Sequence, residues 1–139
     1  MARKIKRESD LWRYVRTVIK PAIGGHWSRI ESHATSLGVP DVNICLDGRD
    51  VWTELKQGED AHIRPSQYRW IKDRLNEGAA NIWVMHHQED MGFMLIKGRY
   101  IDQLKKYDND KEMWRQMAKI VWPREINPIE MREILWPRS

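Results

Sequence analysis

Residues 39–56 read VPDVNICLDGRDVWTELK, and this stretch decides the fold. It holds two runs rich in apolar and β-branched residues, which are separated by Asp47-Gly48-Arg49-Asp50. Asp-Gly between two such runs is a strong signal for a β-hairpin. A hairpin would fold Asp41, at the start of the first strand, back towards Glu54 on the second strand.

Two acids and an amine would meet on one face of this hairpin. Because strand side chains alternate between faces, Glu54 and Lys56 project together. The carboxylates of Asp41 and Glu54 would raise each other's pKa, and a hard divalent cation with oxygen ligands relieves such repulsion best. Mg²⁺, or Mn²⁺ in its place, is therefore the expected cofactor, because it polarises a phosphodiester and lowers the pKa of a bound water. The alternative interpretation is a set of solvated charges on a strand face.

A third acid can come from either of two segments upstream of the hairpin. Apolar residues at helical spacing predict a helix over residues 8–23, which Pro21 and two glycines end. Glu8 lies one turn before Leu11 and so shares the buried side, although an acidic first turn favoured by the helix dipole is the alternative. Glu31, in a strand predicted over residues 26–32, is the other candidate.

The elements downstream of the hairpin complete an α/β pattern. Arg64-Pro65-Ser66-Gln67 is typical of a helix start, and the helix should stop at Gly78. Strands are predicted over residues 81–86 and 92–97, followed by a helix over residues 101–121. The predicted order is helix, three strands, helix, two strands, helix.

In this order of elements the chain resembles the restriction-endonuclease-like PD-(D/E)XK nuclease superfamily, and within it the VRR-NUC nucleases and Holliday junction resolvases. The resemblance covers roughly residues 8–97: a helix with a glutamate, Arg-x-Glu-Ser, Gly-x-Pro-Asp, Glu-x-Lys, and a helix that opens with Ser-Gln after Arg-Pro. It implies an α/β fold in which helices flank a mixed central sheet of about five strands. One nuclease domain would span residues 1–139, with a C-terminal helical extension from about residue 100.

The same resemblance implies roles for single residues. It makes Lys56 the catalytic lysine and gives Gln67 a bearing on the active site. Glu8 matches the first-helix acid of these nucleases, and Glu31 competes with it for that role. The implied ligands of the metal are Asp41, Glu54 and the backbone carbonyl of Leu55.

Positive charge is concentrated at the start of the chain. The net charge is +4, and residues 1–30 carry eight Lys and Arg against two acids. Such an arm would attract a phosphate backbone and make binding sensitive to salt; the alternative is a frayed, solvated terminus. The candidate DNA contacts are Arg3, Lys4, Lys6, Arg7, Arg13, Arg29 and Arg64.

Other features of the sequence exclude several classes of protein. A single cysteine, Cys45, lies in an apolar run, which predicts a buried thiol and allows no disulfide within the chain. The five histidines lack the spacing of a structural zinc site. No 18-residue apolar segment and no signal-peptide core are present, so we expect a cytoplasmic protein without a membrane partner or small-molecule cofactor.

Eight tryptophans are unusual in 139 residues. Aromatic residues of this kind pack onto the domain's own core or form the core of a subunit interface. The four outside or at the edge of residues 8–97, the part of the chain that carries the resemblance, are Trp12, Trp114, Trp122 and Trp136.

The sequence thus predicts a homodimeric, Mg²⁺-dependent DNA endonuclease that selects its substrate by DNA structure, such as a Holliday junction or other branched DNA. The resemblance implies a phage or mobile-element source. Two sites at a fixed separation would cut two strands. The alternatives are a nicking or sequence-specific phage endonuclease, or a DNA-binding module of the same fold that has lost activity.

Overall fold

The computed structural model describes residues 4–30 and 37–138, in which six strands form one mixed sheet. The strands are β1 (His26–Arg29), β2 (Val42–Leu46), β3 (Arg49–Gln57), β4 (Ile82–Gln88), β5 (Gly92–Lys97) and β6 (Ile120–Trp122). Their order across the sheet is their order along the chain. All neighbours pair antiparallel except β3 and β4, which run parallel. The α/β fold expected from the sequence is confirmed, with six strands where about five were predicted.

Helices flank this sheet. They are α1 (Glu8–Tyr14), α2 (Lys20–Ile23), α3 (Pro65–Asn76), α4 (Ile101–Lys106), α5 (Lys111–Met117) and α6 (Pro128–Leu135). A π-helical turn over Val15–Ile19 joins α1 to α2 without a break. Pro21 lies just beyond this turn, and a wider turn accommodates the missing N–H and the bulk of the proline ring.

Apolar side chains on both faces of the sheet form two cores. The first core packs mainly under α1, α2 and α6, and the second core packs mainly under α3, α4 and α5. In β4, Trp83 and Met85 join the first core while Ile82 and Val84 join the second. A strand buried on both faces needs a continuous apolar run instead of an alternating one, which is why residues 82–85 read IWVM.

The predicted hairpin is confirmed, and its turn has the geometry that Asp-Gly favours. Asp47 and Gly48 have φ values of 52° and 76°. Positive φ at both central residues is the signature of a type I′ turn, whose twist matches that of the flanking strands. The turn therefore fixes the register in which Val42 lies opposite Thr53.

The prediction of one helix over residues 101–121 is wrong. The helix stops at Lys106, and α5 begins after Asp110, whose side chain accepts a hydrogen bond from the Met113 N–H. Short polar residues such as Asp and Asn compete for backbone hydrogen bonds and so favour caps over helix interiors. The last part of the expected helix is β6, which pairs with β5.

Three of the four tryptophans named above are buried in this chain's own cores. Trp114, Trp122 and Trp136 are 0%, 6% and 5% exposed, which confirms that they pack onto the domain's own core. Trp12 is partly buried against the first core. Cys45 is half-buried instead of buried, because it lies on the face of β2 that alternates with the buried core face.

The C-terminal tail is tied to the hairpin that carries the acids. The Trp136 indole N–H donates to the Arg49 carbonyl at 3.0 Å, and the Arg49 guanidinium donates to the Pro137 carbonyl at 2.8 Å. Among the described residues, none of the helices is both long and apolar enough to cross a bilayer.

Replacement of Trp114 tests whether the C-terminal region is part of the folded core. Its ring is fully buried and its indole N–H donates to the Leu104 carbonyl. We expect Trp114→Ala to lower the free energy of unfolding by about 3–5 kcal/mol, measured by urea denaturation. The control Ile129→Ala removes an exposed side chain and should change it by less than about 0.5 kcal/mol. Equal effects of the two variants would contradict the packing described.

Candidate metal centre

The two hairpin acids meet where β3 runs past β2. Val42 at the start of β2 lies opposite Thr53, and the chain before it places Asp41 beside Glu54. The Leu55 N–H donates to Oδ2 of Asp41 at 2.8 Å. In a regular sheet, a backbone carbonyl of the neighbouring strand would accept this N–H. Here the side chain of Asp41 accepts it instead.

Glu8 completes a cluster of three carboxylates. It lies in the first turn of α1, a helix that packs on β3, but the residue is exposed, so the expectation that it shares the buried side of the helix is wrong. One oxygen from each of Glu8, Asp41 and Glu54 lies within 4.8 Å of the other two. Of the two candidates for the third acid, the structure therefore brings Glu8 to the site, while Glu31 lies outside the described residues.

Glu54 is the most deeply buried member of this cluster. Glu54 is 1% exposed, and its Oε2 has no hydrogen-bond partner among the described residues. A buried carboxylate oxygen without a partner is costly. This oxygen is therefore available to a ligand.

The crowding of the acids separates their pKa values. Burial and then the hydrogen bond and charge of Asp41 raise the pKa of Glu54 well above its usual value. Burial, followed by the same aspartate, raises the pKa of Glu8 to about 7. Burial would also raise the pKa of Asp41, but hydrogen bonds from Glu54, the Leu55 N–H and Arg29 outweigh it and hold that pKa below its usual value. At neutral pH, without a metal, the cluster retains protons that a cation would displace.

The predicted lysine and glutamine are in direct contact. Lys56 is 8% exposed, and its Nζ donates to Oε1 of Gln67 at 2.8 Å. The same oxygen accepts the N–H of Arg64 at 2.9 Å, as part of the capping box that starts α3. The helix cap therefore fixes the glutamine, and the glutamine fixes the lysine. The Leu55 carbonyl points to the same side as its N–H, towards Asp41.

Arg29 contacts the site in a way that the sequence did not predict. Its Nη1 donates to Oδ1 of Asp41 at 3.0 Å and to the Asp41 carbonyl at 3.1 Å. The guanidinium carbon lies 5.6 Å from the ring centre of Trp12 on α1. From the sequence, Arg29 was expected to contact DNA, and no local signal placed Trp12 near the site. The register of β1 against β2, which sets Arg29 opposite Val42, would have been the signal.

The described part of the basic arm contacts the sheet through Ile5. Ile5 is 6% exposed, and its carbonyl accepts a hydrogen bond from the Gln57 side chain at 3.3 Å. These contacts hold residues 4–7 next to the end of β3, so this part of the arm is not a frayed terminus.

Most of the other predicted DNA contacts are exposed. Arg3 lies outside the described residues. The exposed candidates are Lys4, Lys6, Arg7, Arg13 and Arg64.

The donor set of this cluster fits a hard divalent cation. Carboxylate oxygens are the ligands that Mg²⁺ and Mn²⁺ prefer, and the unpaired oxygen of Glu54 gives the cation a vacant donor. No protein-family model matches the chain, and no curated protein matches it in sequence. The assignment of a function therefore depends on the geometry of this cluster.

The raised pKa of Glu8 predicts a pH-dependent cost to the metal-free protein. Because folding raises this pKa from 4.5 to about 7, the folded state binds the proton more tightly, and stability is lost as pH rises through that window. In EDTA at about pH 8, Glu8→Gln should therefore be more stable than the wild type by on the order of 1 kcal/mol after allowance for solvent screening. Thermal unfolding should show a midpoint about 2–4 °C higher.

The advantage of Glu8→Gln should disappear at about pH 4.5, where the wild-type carboxyl group is protonated. The control is Glu77→Gln, an exposed acid at the end of α3, which should not change the midpoint in this way. A midpoint that is equal or lower for Glu8→Gln at the higher pH would contradict the crowding of the three acids.

Proposed function

We propose that this protein is a Mg²⁺-dependent DNA endonuclease that hydrolyses phosphodiester bonds and selects its substrate by DNA structure. One observation carries the proposal: three carboxylates from α1, the start of β2 and β3 meet at one point. The Nζ of Lys56 is held on the same face of β3 as Glu54. Solvated charges on a strand face would not converge in this way or leave a buried oxygen unpaired.

The architecture supports the same proposal. A mixed sheet with an acidic hairpin, a preceding helix that contributes an acid, and a following helix that contributes a glutamine is what the resemblance to the PD-(D/E)XK nucleases implied. The function itself is argued from the site, because one fold can host many activities.

Each side chain of the centre has a definable task. Glu8, Asp41 and Glu54 would hold the cation, with the Leu55 carbonyl directed to the same side. When bound, a divalent cation supplies Lewis acidity towards a phosphodiester oxygen and lowers the pKa of water. Lys56 has three N–H donors and uses one on Gln67. The other two are available to orient the attacking water and to neutralise charge on the phosphate.

The surface charge supports DNA as the substrate. Exposed cations flank Glu8 in the sequence, on the arm and on α1. Contacts of such cations go to phosphates, which position DNA without reading its sequence. Branched DNA such as a Holliday junction is the proposed target. A homodimer, with two such centres at a fixed separation, stays a prediction that light scattering tests.

Single substitutions in the centre should separate cleavage from binding. We expect Asp41→Asn and Glu54→Gln to reduce Mg²⁺-dependent cleavage by roughly 10³-fold or more, because each removes a charged ligand. Lys56→Met should reduce it by about 10²–10³-fold. The measurements are cleavage of four-way junction, duplex and single-stranded DNA with Mg²⁺ or EDTA, and binding to the same DNAs in EDTA, which should change little.

The matched control for Asp41→Asn is Asp47→Asn. Asp47 is an exposed aspartate in the hairpin turn with φ 52°, a conformation that asparagine tolerates, so cleavage should be unchanged. Full activity of the Asp41→Asn protein would refute the metal centre. A wild-type protein that cleaves none of the three DNAs with Mg²⁺ or Mn²⁺ would refute the proposed activity.

The arm should contribute to binding through salt-dependent contacts. Deletion of residues 1–7 would also remove the buried Ile5, so charge removal is the cleaner test. We expect Lys4→Gln with Lys6→Gln to weaken DNA binding and to reduce the slope of log affinity against log salt by about 0.9 for each duplex phosphate that the protein no longer neutralises. The control is Lys119→Gln. Lys119 lines a cavity at the C-terminal end of β5, and its replacement should leave the slope unchanged.

A further inference from the structure

The Asp41 carboxylate has both oxygens engaged in the described structure. Oδ2 accepts the Leu55 N–H, and Oδ1 accepts Nη1 of Arg29 at 3.0 Å. The side chains of Asp41 and Arg29 are only 15% and 30% exposed. Water therefore screens their ion pair less than it screens a surface pair. A positive charge therefore already occupies the Asp41 oxygen that faces away from the β3 backbone.

The surroundings of Arg29 favour a guanidinium over the ammonium group of a lysine. Nη1 also donates to the Asp41 and Ile30 backbone carbonyls, which holds the end of β1 against the start of β2. The guanidinium carbon also lies 5.6 Å from the centre of the Trp12 ring, within the range of a cation–π contact. Arginine always carries its charge and stacks on aromatic rings, whereas lysine offers a point charge without a planar surface.

We propose that Arg29 is a positioning residue that stands in for the divalent cation at Asp41 in the metal-free protein. In the metal-free protein it holds the carboxylate in place and balances its charge, and a bound cation would compete with it for Asp41. This inference rests on the metal centre of the proposed function. It assigns Arg29 to the control of metal binding, where the sequence had suggested contact with DNA.

The proposal predicts two effects of opposite sign. A guanidinium and a dication compete for one carboxylate oxygen and repel each other, so loss of Arg29 should strengthen metal binding. Loss of the same residue removes one of the two cations that offset the charge of the three acids, the other being Lys56, so the metal-free protein should become less stable. A purely structural role predicts something different, because a disordered Asp41 would weaken both stability and metal binding.

Titration calorimetry with Mn²⁺, in the absence of DNA, tests this. Arg29→Gln should bind Mn²⁺ about tenfold more tightly than the wild type, at the lower end of the range over which neighbouring groups tune metal affinity, and should unfold at a lower temperature in EDTA. Arg29→Lys keeps the charge and should bind Mn²⁺ with nearly wild-type affinity. The control Arg13→Gln removes the same charge from an exposed position on α1 and should leave Mn²⁺ affinity unchanged.

The outcomes distinguish this inference from the proposed function. A wild-type protein that binds no Mn²⁺ overturns both. A wild-type protein that binds Mn²⁺, with an Arg29→Gln protein that binds it equally or more weakly, overturns only the role of Arg29. If Arg29→Gln does not fold, Trp12→Leu removes the ring that supports the guanidinium and keeps every charge. It should tighten Mn²⁺ binding by about threefold, and an unchanged or weaker affinity overturns the proposal.

Discussion

The hydrogen bond from the Leu55 amide to the Asp41 carboxylate is the interaction on which the rest of the site depends. β3 extends past the start of β2, and its backbone would otherwise present an unpaired N–H at a part-buried edge. An aspartate side chain satisfies that donor and is thereby brought beside Glu54. The backbone requirement and the functional requirement are met by one residue, so neither can change without the other.

The cost of this arrangement is a group of like charges in a partly buried pocket. The protein reduces the cost in two ways that need no metal: protons remain on Glu8 and Glu54, and Arg29 pairs with Asp41. The two cores on opposite faces of the sheet supply stability that offsets the remaining cost of the crowded acids. Functional sites commonly keep such locally unfavourable arrangements because binding uses them.

The features that local sequence signals determine were predictable. Asp-Gly gave the hairpin, the two-residue period put Glu54 and Lys56 on one face, and Arg-Pro-Ser-Gln gave the start of α3 with Gln67. The features that depend on distant partners were not. β6 forms because it pairs with the edge of β5. The contact of Arg29 with Asp41 depends on the register between β1 and β2, two strands that residues 30–41 separate in the sequence. The region after residue 100 was misread because a helical period does not reveal an interruption by capping residues.

The bonds between Arg49 and the tail have a consequence for biosynthesis. They join residues 87 and 88 positions apart, and long-range contacts of this kind form late, since a large loop must close first. The two bonds between the hairpin and the tail can therefore form only after residue 137 has left the ribosome. A nascent chain could pair β2 with β3, whose contacts are local, before these two bonds hold Arg49 in place.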